Sequence, residues 1–221
     1  MVKVILFHLF NGQQVVGIDE EPLAITHAST TILAATKAGR VEGFAAGAEY
    51  VRAFSFETAN DGITGLHHVP ALDCVVTLER ESAHSRINVV RAYYRYHPLT
   101  TTDQAAAATE AADGTTTGRY ASAGSLVQLA VPWSVHTLAV CGATGRVLAG
   151  GERGLSLWAL HEEGQAPEHL MDLDTSHSLP VRRLAIHRDY LAYASSNELF
   201  VLHFQLVPRS GTSTSSSLPS T

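Results

Sequence analysis

Four stretches of this chain follow one design, and that recurrence limits the fold more than any other feature. They are "ILAATKAGRVEGF" (residues 32–44), "VVTLERESAHSRINVVRAY" (75–93), "VLAGGERGLSLW" (147–158) and "LAYASSNELFVLHF" (191–204). Each opens on an apolar, strand-like run: "TILAAT", "CVVTLE", "RVLAGG" and "YLAYAS". A turn follows, at residues 37–39, 81–85, 152–154 and 196–198, and then an alternating run such as "RVEGF" or "LFVLHF". Turns this short between apolar runs predict antiparallel hairpins.

Further runs flank the hairpins. "LAITH" (23–27), "ITGLHH" (63–68), "VHTLAV" (135–140) and "VRRLAI" (181–186) precede them, and "YVRAFSF" (50–56), "SLVQLAV" (125–131) and "EHLMDL" (168–173) follow the first three. That makes about four strands per unit. Ile32 to Val75 is 43 residues and Val147 to Leu191 is 44. Val75 to Val147 is 72, but excising the Thr/Ala/Gly-rich insertion at 97–124 leaves 44. A period near 40–45 with four strands per period predicts an all-β, β-propeller-like fold of about four WD40-like units. The first strand of each hairpin, apolar on both faces, is expected to be the inner strand of its sheet, its small residues admitting close approach near the axis.

The expected organisation is a propeller-like domain over 1–207, with a flexible insertion at 97–124, and a disordered Ser/Thr-rich tail over 208–221. The last unit has no fourth strand of its own. If four units close into a ring, residues 2–7 should pair with 199–206. If the chain is an arc of a larger propeller, that edge stays bare. On the alternating strand after Gly154, Leu155, Leu157 and Ala159 share one face, and Ser156, Trp158 and Leu160 the other, so this strand is expected between two neighbouring sheets.

Chemistry-bearing motifs are missing from the sequence. Twelve histidines are scattered from His8 to His203. The adjacent His67 and His68 point to opposite sides of a strand and so do not ligate one ion together. There is no His-Glu-x-x-His, Cys-x-x-Cys or calcium loop. "CGATGRVLAGG" (141–151) is Gly-rich but lacks the lysine of a phosphate loop and leads into a strand. "SAGSLV" (122–127) fails as a nucleophile elbow. Asp61-Gly62 and Asp113-Gly114 are turn residues, and Glu20-Glu21 and Glu162-Glu163 look like solvated loop charges. No catalytic residue, cofactor-binding residue or metal ligand is therefore assigned, and no enzyme activity or cofactor is expected. Cys74 and Cys141 read as reduced core residues. A net charge of -6 with scattered Lys and Arg argues against nucleic-acid partners. No apolar stretch reaches the ~20 residues of a membrane-spanning helix.

"GGERGLSLWAL" (150–160) resembles the end of a tryptophan–aspartate repeat with Trp158 in place, but Ala159 stands where the aspartate belongs. The unit is therefore expected to lack the internal hydrogen-bond network of standard repeats.

"LFNGQQVV" (9–16), "ILAATKAGRVEGFAAG" (32–47) and "VRAYYRY" (90–96) resemble the amino-terminal region of the Hermansky–Pudlak syndrome 3 protein family. The match is sharpest at Phe10, Gly12, Gln13, Gln14, Val15 and Val16, at Val41, Glu42, Phe44 and Ala45, and at Arg91, Ala92 and Tyr93. The resemblance implies a non-enzymatic scaffold, a subunit of biogenesis of lysosome-related organelles complex-2. Its implied partners are the other subunits of that complex and trafficking proteins. Its implied location is the cytoplasm, peripheral on endosomes, in traffic to melanosomes and platelet dense granules. Family members are longer, so the resemblance implies a fragment, a short isoform or an incomplete gene product, and favours the arc over the ring. No clathrin-box motif falls on these residues. The competing expectations are a generic WD40-like adaptor unrelated to trafficking and a propeller enzyme. A cluster of His, Asp and Glu on axis-facing loops would favour the enzyme, and an apolar outer patch the scaffold.

Overall fold

The computed structural model describes residues 4–7, 14–18, 22–28, 31–45, 51–82, 84–94, 125–175, 181–195 and 198–205. The expected insertion at 97–124 and the tail from Pro208 lie outside the described residues. Each expected hairpin forms and sits at the middle of a meander. Sheet one runs β3 (Pro22–Ala28), β4 (Thr31–Thr36), β5 (Arg40–Ala45), β6 (Val51–Glu57). Sheet two runs β7 (Gly65–Val69), β8 (Cys74–Arg80), β9 (Asn88–Tyr94), β10 (Ser125–Gln128). Sheet three runs β11 (Val135–Cys141), β12 (Arg146–Gly151), β13 (Gly154–Ala159), β14 (Glu168–Asp174). Sheet four has three strands, β15 (Arg183–His187), β16 (Tyr190–Ala194) and β17 (Leu199–His203). All pairings are antiparallel between chain neighbours.

The amino-terminal strand does not complete sheet four. β1 (Val4–Phe7) pairs instead with β2 (Gln14–Ile18) in a separate two-stranded sheet. The chain thus uses its nearest strand-forming neighbour, which costs less loop entropy than a partner almost two hundred residues away.

Three apolar layers join the four sheets. Leu33, Val41 and Phe56 of sheet one meet Leu66, Val75 and Tyr93 of sheet two. Val76, Val90 and Tyr94 of sheet two meet Val147, Trp158 and Leu160 at sheet three. Leu148, Leu155 and Leu157 of sheet three meet Leu191, Tyr193 and Phe200 of sheet four. Leu155 and Leu157 thus face sheet four while Trp158 faces sheet two, the division the alternation predicts.

The expectation about the inner strand is corrected. First strands touch first strands, β3 with β7, β7 with β11 and β11 with β15, so they line the centre of the array. The Ala- and Gly-bearing strands β4, β12 and β16 are second in their sheets. Their small side chains make room between faces: a Cβ on Gly150 would lie 3.0 Å from Leu184 Cδ1 of sheet four and 3.2 Å from Cγ1 of Val181, just ahead of β15. One glycine has a conformational reason. Gly39 turns β4 into β5 with φ +80°, its carbonyl accepts from the Thr58 amide at 2.8 Å, and a Cβ would meet the Asn60 carbonyl oxygen at 2.9 Å.

Sheet two is tied to the exit of sheet one by a buried charge. The Glu79 carboxylate, fully buried, accepts from Tyr93 Oη at 2.7 Å, Thr77 Oγ1 at 3.2 Å and the Asn60 amide at 3.3 Å. The Arg91 guanidinium lies 3.3 Å from it and also donates to the carbonyls of Arg80 and Glu81. Tyr93 Oη in turn accepts from the Ala59 amide at 2.7 Å. Burial and the neighbouring carboxylate push the Tyr93 phenol well above its ordinary pKa, so it stays a donor.

The expectation that the third unit lacks an internal network is also corrected. Trp158 Nε1 donates to Ser156 Oγ at 2.8 Å, Ser156 hydrogen-bonds Asp172, and His169 pairs with Asp172 at 2.9 Å. The His169 ring lies against the indole, with centroids 4.9 Å apart. Residue types familiar from standard repeats are present, but on β13 and β14 and at different positions. Chain spacing alone does not reveal them, because the β13–β14 register slips between Leu157 and Trp158.

Both cysteines are free and buried, and burial pushes the Cys74 thiol up to about 12. His67 on β7 is held below its usual pKa by burial. Burial also raises the Asp172 carboxyl, but hydrogen bonds from Ser156 and His169 outweigh it and leave the pKa lowered. In both cases the unfolded chain binds the proton more readily. The stabilisation is therefore complete above the unfolded pKa and is lost as pH falls. Melting temperature should be flat above about pH 7 and decline towards about pH 5 as unfolded His67 takes up its proton. Circular dichroism melts should show His67→Gln flattening that limb; an unchanged limb would rule His67 out as its source.

Candidate interaction surface

Where sheets one to three pack against a following sheet, the residues on that side of their third strands are buried. Val41, Val90, Ala92, Leu155 and Leu157 illustrate this. The β16–β17 register matches Val201 and Leu199 of sheet four to Leu157 and Leu155 of sheet three. There the burial ends: Leu199 is 72% exposed, Val201 65% and Tyr190 55%. Ala192 and Ala194 of β16 lie on the same face and are half-buried. The opposite end of the array is different. On the face of sheet one turned away from sheet two, Ala34, Thr36, Glu42 and Phe44 are all buried. One end of the stack is covered and the other presents an apolar outer patch.

The patch is bordered by bases. Arg183, His187 and His203 share its face through the register Arg183↔Ala194 and His187↔Tyr190↔His203, and the His203 and Tyr190 rings lie 4.8 Å apart. No carboxylate falls on this face between the strand ends. At its corner Arg146 grips the Asp189 carboxylate and the Arg188 carbonyl at 2.8 and 2.7 Å, pinning sheet three to the β15–β16 turn.

A cavity of about 580 Å³ opens beside the starts of β11 and β15, lined by His136, Glu152, Arg182, Arg183 and Ser195 among others. His136 and Glu152 are 3.7 Å apart. Among the described residues this is the one place where a histidine and a carboxylate come together near the inner strands, and two arginines share it. His67 and His68 lie on opposite faces of β7. Among the described residues no three His, Cys, Asp or Glu side chains gather as metal ligands, and no helix is long and apolar enough to cross a membrane. Sequence reading missed the open patch because "LFVLHF" has the composition of a covered strand.

Comparison with known proteins defines the class at the level of fold. No family model matches the chain, and no curated protein matches it. Among solved structures it is similar to the computationally designed Ika4 protein, with TM-score 0.56 and 14% identity over 88% of this chain and 99% of that one. It is also similar to the β-propeller domain of Cps50 (Swd1) from Myceliophteria thermophila, with TM-score 0.56 and 16% identity over 83% of this chain and 54% of that one. The chain therefore has a β-propeller-like fold and spans about half the length of the second structure.

Proposed function

We propose that this protein is a non-enzymatic interaction scaffold, and that it serves as a subunit of biogenesis of lysosome-related organelles complex-2 in traffic from endosomes to melanosomes and platelet dense granules. The observation that carries the scaffold reading is the exposed apolar face of sheet four, at the one end of the stack where the packing pattern stops uncovered. Propeller-like folds serve widely as platforms, so the fold agrees with this reading without selecting a partner. The trafficking assignment draws its support from the sequence resemblance at residues 9–16, 32–47 and 90–96.

The test is co-purification of the tagged chain with the other subunits of that complex from melanocyte lysate, alongside a Val201→Glu variant. Val201 is mostly exposed, so the substitution should leave the fold intact. Retention of those subunits by the parent chain and their loss from the variant is the expected result. If the subunits are absent from the parent eluate, the trafficking assignment falls. If the variant retains them fully, the sheet-four face is not the platform.

A further inference from the structure

We propose that sheet four is completed by an acidic β-strand donated by a partner polypeptide, which adds antiparallel to the free edge of β17. The inference rests on the scaffold reading and gives the partner a chemistry. β5, β9 and β13 each hold the third place in a sheet, and each is hydrogen-bonded on its far side to a fourth strand. β17 holds the same place, and among the described residues its far side pairs with nothing. Natural edge strands are blunted by Lys, Pro, bulges or inward charges. The sequence "LFVLH" has none of these, and the β16–β17 register runs without a shift. Apolar on both faces, it is written as an interior strand.

Side-chain burial agrees. Phe200, Leu202 and Phe204 contribute to the layer shared with sheet three yet are only half-buried, whereas their counterparts Ser156 and Trp158 on β13, flanked by β14, are buried. A strand beside β17 would cover that flank. Charge selects its kind. The protein is acidic overall, but the outer face of sheet four carries the Arg183 guanidinium and the imidazoles of His187 and His203 without a carboxylate, so it offers a cation and ring N–H donors to an acidic strand and no counter-charge to a basic one. The chain contains a model of such a strand in β14, "EHLMDLD", whose three carboxylates accompany Leu170, Met171 and Leu173 alongside β13. Strand addition of this type gains affinity from main-chain hydrogen bonds and specificity from alternate side chains.

The experiment is amide hydrogen exchange of the full 221-residue chain with synthetic "EHLMDLD", with the same peptide N-methylated at alternate amides, and with a version carrying Glu168→Lys, Asp172→Lys and Asp174→Lys. The first peptide should slow exchange across residues 199–203 by about tenfold or more. N-methylation should abolish the effect, because it removes the donors that pair with the edge while keeping the side chains, and the lysine version should weaken it. Unchanged exchange at 199–203 with saturating peptide, or equal protection by the N-methylated form, would overturn the proposal. So would protection that appears without peptide and grows with protein concentration, since the occupant would then be a second copy of this chain. If residues 199–203 stay unprotected while Val201→Glu still abolishes co-purification, strand addition fails and the scaffold reading stands.

Discussion

Trp158→Ala should destabilise the protein by about 3–5 kcal/mol, among the largest losses any single truncation here produces. The indole fills the layer between sheets two and three with Val147 and Ala149 on its own sheet, Leu160 just past the end of β13, and Val76, Val90 and Tyr94 opposite. It is also held by its hydrogen bond to Ser156 and by the His169 ring. Truncation removes apolar area and leaves a cavity that neighbouring strands, locked in their ladders, cannot collapse to fill. Ser156 also loses its indole donor. Urea titration followed by far-UV circular dichroism measures the change. A loss below about 1 kcal/mol would mean that the two sheets are not joined through this ring. Trp158→Phe keeps most of the volume and lacks the N–H donor, so it should fall between the two.

A comparable loss, again about 3–5 kcal/mol, is expected for Arg91→Ala, through electrostatics instead of packing. Glu79 is fully buried, and Arg91 is the positive charge beside its carboxylate. Without the guanidinium, the donors from Tyr93, Thr77 and Asn60 remain, but a buried negative charge has lost its counter-ion. The carbonyls of Arg80 and Glu81 also lose their guanidinium donors. The mechanism makes a second demand. The double variant Glu79→Leu with Arg91→Met removes both charges at similar volume and should recover most of the stability, because the desolvation cost disappears with the pair. A double variant as unstable as Arg91→Ala alone would show that the loss arises from packing.

The meander was legible because it is local. Each hairpin joins chain neighbours, three through a short turn and β8–β9 through a longer one, so an apolar run, a turn and an alternating run at a fixed period identify β4–β5, β8–β9, β12–β13 and β16–β17 directly. The position of each strand relative to the centre was not legible. A small residue such as Gly150 relieves crowding equally well near an axis or between two faces, and only the contacts of Leu184 and Val181 distinguish these. The Glu79–Arg91 pair left little trace either. Glu79 closes a run that reads as an apolar strand and Arg91 sits in one that reads as an ordinary alternating strand, and their approach depends on the β8–β9 register across a long turn. The candidate surface was hidden for the opposite reason. Leu199 and Val201 carry the same pattern as Leu155 and Leu157, and exposure is a property of what stands next to a strand, which the strand's own residues do not encode.

The order of contacts among the first strands, β3 to β7 to β11 to β15, gives the molecule the energetics of a row of coins. Each sheet is held by the one before and the one after, so cooperativity passes through three junctions in series. The terminal coin at the uncovered end, sheet four, has a single junction and three strands, and fraying starts there. Severing the middle junction at Trp158 separates two pairs, whereas loosening the last one sheds only sheet four. A binding partner that caps this end would act as a stop, and its hold would be felt in turn by every sheet behind it.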